Sequence, residues 1–544
     1  MSNAFGDHVL SIPYRPVADL FAQYRDRDPV KPAIIDVESG SVITFGQLDR
    51  VTAEIAALLK TRGVTNGSRV LLLAEDNLEK LLLWFGIWRL GAAVCPFNIE
   101  VKQEALADLV QILNPVLVVY HKDVDVDTLL RLHSAPRIRF GMWSAGGTDD
   151  PQDELFSNLS KNRTAAAPAE RNAPEDIAYI FLTSGTTNRP KMVVYDHCAC
   201  WLNGLSTLEF LDLTENDRTL EYRSFGWGSA LVLSLMPFLQ RGLTLHIAKR
   251  FSHSRRFFEW IQQYGITFAP SVPTVLNILL QKPLGHSAKD LPTLRLMSCS
   301  TAPLTAQQWL LFEEMYGIKL LQFYGMSEAG WVCGNRTYKN RIGTVGVPAL
   351  HQEFAIVDSD GKPCPPGVEG EVTTGGPQAA IGCLRDDGTI ERRPNRIKTG
   401  DLAIEDQDGF IRVTGRVKDL IIRGGVNIAP LQIDEVLLKH PGILEAAAVG
   451  VPDQIYGEEL VCYAVAKPNV CLTETSVRRH CEALLSKPKM PKQIFIVTEL
   501  PKSERGKVLR DRLREDWIAR TRPPADSAAK PPANPETTSS TIVR

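Results

Sequence analysis

What this chain lacks narrows its nature first. Its 61 Lys and Arg residues face 63 Asp and Glu, a formal net charge of −2. There is thus no excess of either sign to suggest nucleic acid or an anionic membrane as partner. The stretch from Met1 to Asp7 has no basic cluster leading into an apolar core, so no secretory leader is expected. The best apolar stretch, Ala230 to Leu239, is far short of the roughly 20 residues that cross a bilayer and reads as a buried helix. The ten cysteines are scattered without a framework, as expected of reduced thiols in a cytoplasmic protein. One local cluster, His197 to Cys200, lacks the paired spacing of a metal site and reads as buried thiols beside a structural histidine. No internal repeat is visible.

What is present is an ordinary globular balance, 44% hydrophobic and 23% charged, in 544 residues. That length calls for several packed subdomains. Val70–Ala74 and Pro115–Tyr120 read as buried strands, and Leu81–Leu90 as a buried helix ending at Gly91. Strand, helix, strand in this rhythm predicts an α/β fold of parallel-type sheets covered by helices. Ser144–Pro174 is polar and reads as a connection. After Arg416 a compact unit follows, with apolar segments Ala446–Val451 and Val461–Val465. The tail from Arg522, rich in Pro, Ala, Ser and Thr, is expected to be disordered.

The strongest chemical signal runs from Tyr179 to Lys191. An apolar strand enters a turn of Thr183, Ser184, Gly185, Thr186 and Thr187 and ends at Lys191. Glycine admits close approach of backbone N–H groups to an anion, hydroxyls add donors, and the lysine supplies charge for a polyphosphate. The Walker A spacing is absent.

Together with motifs downstream, this segment resembles the acyl-adenylate-forming superfamily of acyl-CoA synthetases, adenylation domains and firefly-type luciferases, over about Phe21 to Arg514. Gln322, Phe323, Tyr324, Gly325, Met326, Ser327 and Glu328 resemble its aromatic-Gly-x-Thr-Glu element. The resemblance implies that Tyr324 covers the purine, Ser327 holds the α-phosphate, and Glu328 holds Mg²⁺. Ser300, Thr301, Ala302 and Pro303 stand where the family has a Gly-Gly-Ala-Pro turn along the adenine. Asp401 matches the aspartate that accepts the ribose hydroxyls, and Arg416 a second contact near the ribose. Lys418 matches the hinge, Gly424 and Gly425 a loop lining the pantetheine tunnel, and Lys507 the lysine of the adenylation step.

The resemblance implies a large N-terminal domain of sheets and helices with a barrel-like part (1–417), a small mobile α+β domain (418–521) that rotates about Lys418, and the tail (522–544). It implies ATP, Mg²⁺ and coenzyme A as cofactors, a small-molecule carboxylic acid as partner, and a monomer or homodimer. An acid–thiol ligase is the implied activity; a carrier-protein thiol as acceptor and a catalytically lost nucleotide-binding module are the alternatives. Luciferase-like oxidation has no support in the residues. Leu284–Ser287 superficially resembles a carrier's phosphopantetheine site but reads as a loop.

Some positions depart from the family. Asn188 and Met192 replace glycines of the phosphate loop, and Gly382–Pro394 does not match the usual pattern before Asp401. The segment Arg223–Gly228 lacks the histidine many acyl-CoA synthetases carry there, leaving Trp227 as the bulky candidate for that gate. Trp227, Met326 and Trp331 are the expected walls of an acyl pocket. The two tryptophans suit a small or aromatic acid and equally suit core packing.

Overall fold

The computed structural model describes residues 13–97, 103–124, 135–143, 153–156, 159, 172–183, 190–251, 253–281, 285–502 and 507–521. The chain forms two compact units that part between Lys418 and Asp419. Most of the Ser144–Pro174 connection and the whole tail after Thr521 lie outside the described residues.

Among the described residues the first unit contains three sheets. In the eight-stranded sheet, Arg69–Leu73 and Ala93–Phe97 lie side by side in parallel. Both are buried along nearly their whole length, which is why they read as unbroken apolar runs. The helix between them, Leu78–Trp88, is buried on every side. Its apolar circumference suits only such a place, and its charged residues need partners there. Lys80 Nζ accordingly donates to Asp76 Oδ1 at 2.7 Å. Asn77 caps the helix by accepting from the Lys80 backbone N–H, and such a cap is worth about 1 kcal/mol.

The nine-stranded sheet runs in the order Val347–Pro348, Gly330–Gly334, Lys319–Met326, Leu296–Cys299, Phe268–Ser271, Arg218–Glu221, Thr244–Ile247, Pro32–Asp36, Val42–Thr44. From Lys319–Met326 to Pro32–Asp36 the neighbours are parallel. Arg218–Glu221 is where the winding reverses. The chain leaving it packs Leu231, Leu233 and Phe238 into the core cluster shared with Leu245, Phe268 and Leu296. It then returns as Thr244–Ile247 on one side. The next helix, Ser254–Tyr264, buries Phe257, Phe258 and Ile261 in the core on the opposite face, with Leu220, Ala269 and Met297. The strand after it, Phe268–Ser271, lies on the other side of Arg218–Glu221. A crevice outside the carboxyl ends of strands at such a reversal is the usual ligand site of an open α/β sheet.

The helix expected over Ala230–Leu239 is interrupted. Gly228–Ala230 and Met236–Arg241 are α-helical, and Leu231–Leu235 between them is a π turn. Thr207 Oγ1 donates into this turn, to the Val232 carbonyl at 2.7 Å. A third sheet is antiparallel: Glu353–Val357, Gly370–Gly375, Arg396–Glu405 and Ile411–Arg416.

The second unit is built on the long antiparallel pair Ile443–Asp453 and Gly457–Ala466, which contain the two apolar segments read from the sequence. Gln493–Val497 adds a parallel strand. Ile433, Leu437, Val477 and Cys481, from helices Pro430–Leu438 and Glu474–Leu484, fill one core. Leu513 of helix Arg510–Thr521 fills a second with Val449, Val461 and Tyr463.

Candidate functional site

The site of the first unit is assembled where two sheets bring distant residues together. Tyr324 ends the run of buried residues in Lys319–Met326. Asp401 and Arg416 face each other across the antiparallel pair Arg396–Glu405 and Ile411–Arg416. Tyr324 Oη donates to Asp401 Oδ2 at 2.6 Å, and Arg416 Nε donates to Asp401 Oδ1 at 2.6 Å. The Asp401 backbone N–H donates to Thr399 Oγ1, and that hydroxyl donates in turn to the Val372 carbonyl. Asp401 is only 5% exposed. A carboxylate oxygen can accept more than one hydrogen bond, so both oxygens keep acceptor capacity for a ligand's hydroxyls. Burial, and then the Asp401 carboxylate, push the Tyr324 phenol far above its ordinary range, so it acts as a neutral donor.

Ser327 and Glu328 occupy the turn that follows, closed by the Ala329 N–H on the Met326 carbonyl. Three groups hold this turn. Tyr195 Oη donates to the Ser327 carbonyl at 2.9 Å, the Ala380 N–H donates to the Glu328 carbonyl at 3.1 Å, and Gln352 Nε2 donates to the Ala329 carbonyl at 2.7 Å. Gly330 has φ +69°, and a Cβ there would stand 2.2 Å from Asn203 Oδ1. Only glycine fits, because that oxygen accepts the Trp331 N–H at 2.8 Å. A register irregularity between Tyr324 and Gly325 kinks the hairpin at the site.

Ser300 to Pro303 leave the sheet beside this hairpin, since Cys299 pairs with Gln322. Thr301 has φ +79°, a strained conformation for a β-branched residue. Gln322 and Phe323 are buried, and Phe323 packs its ring against Phe210 and Trp331.

Of the phosphate loop, Thr183 and Lys191 are described; Ser184, Gly185, Thr186, Thr187 and Asn188 lie outside the described residues. The two ends meet, with the Thr183 N–H donating to the Lys191 carbonyl at 2.9 Å. Met192 is a buried strand residue. Cys383 pairs with Val193, two residues after Lys191. Burial raises its thiol pKa, the Glu328 carboxylate adds to the rise, and the Lys191 ammonium opposes it. Both charged groups therefore lie within electrostatic reach of Cys383.

Trp227 is half-buried at the start of the Gly228–Ala230 turn, and a Cβ on Gly228 would lie 3.1 Å from the Phe181 ring. Met326 is half-buried. Trp331 is core: its indole packs on Phe210 and Phe323, and Nε1 donates to Thr207 Oγ1 at 2.9 Å.

In the second unit, Gly424 (φ +56°) and Gly425 (φ +85°) form the two-residue loop of the hairpin Ile421–Arg423 and Val426–Ile428. Two successive positive φ angles are what a tight hairpin of this hand needs. Lys507 is exposed, directly before the Val508–Lys502 bridge. Arg510 anchors the segment by pairing with Asp434 at 2.6 Å. Lys418 is exposed in the turn Val417–Asp419, which closes the first unit.

A divalent cation would find the Glu328 carboxylate beside the Ser327 hydroxyl. Among the described residues no group of three or more His, Cys, Asp or Glu is placed to hold a metal. One carboxylate with substrate phosphates and water completing the shell is the ordinary way Mg²⁺ is bound in nucleotide enzymes, so the donor set fits.

Residues 21–384 match the AMP-binding enzyme family, and 432–507 match the AMP-binding enzyme C-terminal domain. The chain belongs to the AMP-binding enzyme family. Among its relatives this AMP-binding enzyme is 30% identical to a sulfoacetate–CoA ligase of Cupriavidus necator, over 91% of this chain and 97% of that one. It is 28% identical to an oxalate–CoA ligase of Arabidopsis thaliana, over 85% and 91% of the two chains. The ATP-bound crystal structure of MatB from Rhodopseudomonas palustris aligns with a TM-score of 0.82 at 26% identity, over 92% of this chain and 99% of that one.

Sequence reasoning missed two buried ion pairs of this AMP-binding enzyme, Asp76–Lys80 and Glu221–Arg223. Both hold the segment that carries Trp227. Asp76 Oδ2 accepts the Phe225 N–H at 3.1 Å, and Glu221 Oε1 accepts the N–H groups of Tyr222 and Arg223. The available signal was the charged pair Glu221 and Arg223 at the end of the buried strand Arg218–Glu221.

Proposed function

We propose that this AMP-binding enzyme is an ATP-dependent acid–thiol ligase, which joins a small or medium carboxylic acid to coenzyme A through an acyl-adenylate. The observation that carries the reading is the buried Asp401 carboxylate, held between Tyr324 and Arg416, in a chain of this family. It is an acceptor set for vicinal ribose hydroxyls, with an aromatic ring beside it for the base.

In the first half-reaction, a substrate carboxylate oxygen forms a bond to the α-phosphorus of ATP, and the bond to the β-phosphate oxygen breaks to release pyrophosphate. Mg²⁺ bound with the nucleotide would neutralise charge on the phosphates. The protein positions the two anions: Ser327 donates to the α-phosphate, Glu328 would hold the cation, and Thr183 to Lys191 grip the outer phosphates. Lys507 stabilises charge that develops as the mixed anhydride forms. In the second half-reaction, the coenzyme A sulfur attacks the acyl carbon, the thiol proton is lost, and AMP leaves with the bridging oxygen. Gly424 and Gly425 leave room for the pantetheine arm. Lys507 and the glycine loop both belong to the second unit, so we assign the change between half-reactions to rotation about Lys418.

The two relatives described above are named for short, polar acids, and others for aromatic and long-chain fatty acids, so the acid is left to measurement. The test is pyrophosphate release across short-chain, dicarboxylic, sulfo- and aromatic acids, with and without coenzyme A. Release that requires an acid, with AMP and a thioester formed once coenzyme A is present, is the expected result. Acid-dependent release without thioester would transfer the acceptor role to a carrier protein, and no release with any acid would overturn the reading.

A further inference from the structure

Just past the strand at which the winding reverses stands an arginine whose hydrogen-bonding fork is only partly used. Glu221 is fully buried and Arg223 is 4% exposed. Glu221 Oε1 accepts from Arg223 Nε at 2.8 Å, and Oε2 accepts from Arg223 Nη2 at 2.6 Å. Ser234, on the π turn, donates to Oε2 at 2.7 Å. With the N–H groups of Tyr222 and Arg223 on Oε1 as well, the Glu221 carboxylate has little acceptor capacity left. It fixes the guanidinium in one orientation. The other end of the fork, Nη1, is buried and has no hydrogen-bond partner among the described residues.

The surroundings are polar and equally unsatisfied. Thr219 is level with Phe268, and Phe268 with Leu296. Two residues further along these parallel strands, Glu221 and Ser298 point from the same face of the sheet. Ser298 Oγ and, two residues on, Ser300 Oγ are buried without partners among the described residues. A buried donor left unmade costs about 1–3 kcal/mol, and native structures carry few of them. Here Arg223 Nη1 follows Arg218–Glu221, and the two serine hydroxyls stand at the end of Leu296–Cys299, with Phe268–Ser271 between the two strands; the π turn that reaches Glu221 through Ser234 is a feature frequent at functional sites.

We infer that the acid this enzyme activates carries a second anionic group, a carboxylate or sulfonate, which Arg223 reads through Nη1 with Ser298 and Ser300 supplying hydroxyls. The inference rests on the ligase reading above and names its substrate class. A planar guanidinium locked by Glu221 meets such an oxyanion without reorganising, and charge-assisted hydrogen bonds are the stronger kind.

The test compares matched acids by pyrophosphate release with the full chain: malonate against propionate, succinate against butyrate, and sulfoacetate against propionate, each with and without coenzyme A. The inference requires kcat/KM for the two-anion acids to exceed that for their partners by about 10–100-fold, as one charged hydrogen bond at about 1.5–3 kcal/mol gives. Arg223→Lys keeps the charge but not the fork, and should collapse the ratio chiefly through KM for the acid. Ser298→Ala, which removes only an unpaired hydroxyl and leaves the fold intact, should lower the ratio severalfold with KM for ATP unchanged. Equal turnover of one-anion and two-anion acids overturns the inference while leaving the ligase reading standing. So does a preference that survives both substitutions. Release with none of the acids, aromatic ones included, removes the ligase reading and the inference with it.

Discussion

Asp401 shows how one side chain organises the nucleotide half of the site. Its two oxygens are oriented by Tyr324 and Arg416 before any ligand arrives, so binding meets a preorganised acceptor. Asp401→Asn keeps the shape and loses the charge. A hydrogen bond to a charged group contributes about 1.5–3 kcal/mol, so ATP affinity measured by calorimetry should fall about 10–100-fold. Lys507→Ala should lower acid-dependent pyrophosphate release by about 10²–10³. Thioester formation from preformed acyl-adenylate should be largely retained, and equal loss of both half-reactions would contradict the division of labour. Thr301, at φ +79°, stores strain of order 1–3 kcal/mol. Thr301→Gly relieves it at some cost in chain entropy, so the urea midpoint should rise by the equivalent of about 1 kcal/mol.

At the scale of elements, the hairpin from Lys319–Met326 to Gly330–Gly334 decides where Ser327 and Glu328 stand. Its contacts come from far away in sequence: Tyr195, Asn203, Gln352 and Ala380. Gly330→Ala would force a Cβ into Asn203, 2.2 Å away, at a positive φ. The expected outcome is a kcat loss of at least tenfold, with a thermal midpoint lowered by several degrees; an unchanged kcat would show that the turn is not held this way. These tertiary ties explain what sequence could and could not reveal. The buried strands and the buried helix were legible because burial on both faces writes itself as a long apolar run, Leu81–Trp88 in the helix. Tyr324, Asp401 and Arg416 were legible as separate motifs, though not as a bonded set. The Glu221–Arg223 pair was not legible as a site, since its meaning lies in Ser234, Ser298 and the winding reversal. Trp331 read equally as pocket wall or core, and its packing on Phe210 and Phe323 makes it core.

At the scale of the whole molecule, the chain forms two compact units, and the larger one carries a pH dependence. Burial lowers His197 and His246 from 6.5 to about 4. The unfolded chain takes up protons on these histidines below pH 6.5 and the folded one does not, so stability is lost as pH falls from about 6.5 to about 4. Each contributes up to about 1.4 kcal/mol per pH unit. Asp196, raised by burial from 3.8 to about 6, works in the opposite sense and offsets one of the two. Burial also raises the Glu38, Asp76 and Glu79 carboxyls of this unit, which act in the sense of Asp196, so the histidine contribution is read by substitution: lowering the pH from 7.5 to 5 should change the urea midpoint less unfavourably in His246→Gln than in the unsubstituted chain, and an identical pH dependence would contradict the assignment of a neutral buried histidine.

Activation through an acyl-adenylate requires attack of the acid's carboxylate on the α-phosphorus. Supplying the preferred acid with ¹⁸O in its carboxylate, together with ATP and coenzyme A, tests this directly by mass spectrometry of the products. An acyl-adenylate route puts one ¹⁸O atom in AMP and none in pyrophosphate. Label in pyrophosphate or free phosphate, or AMP without label, would contradict an acyl-adenylate route.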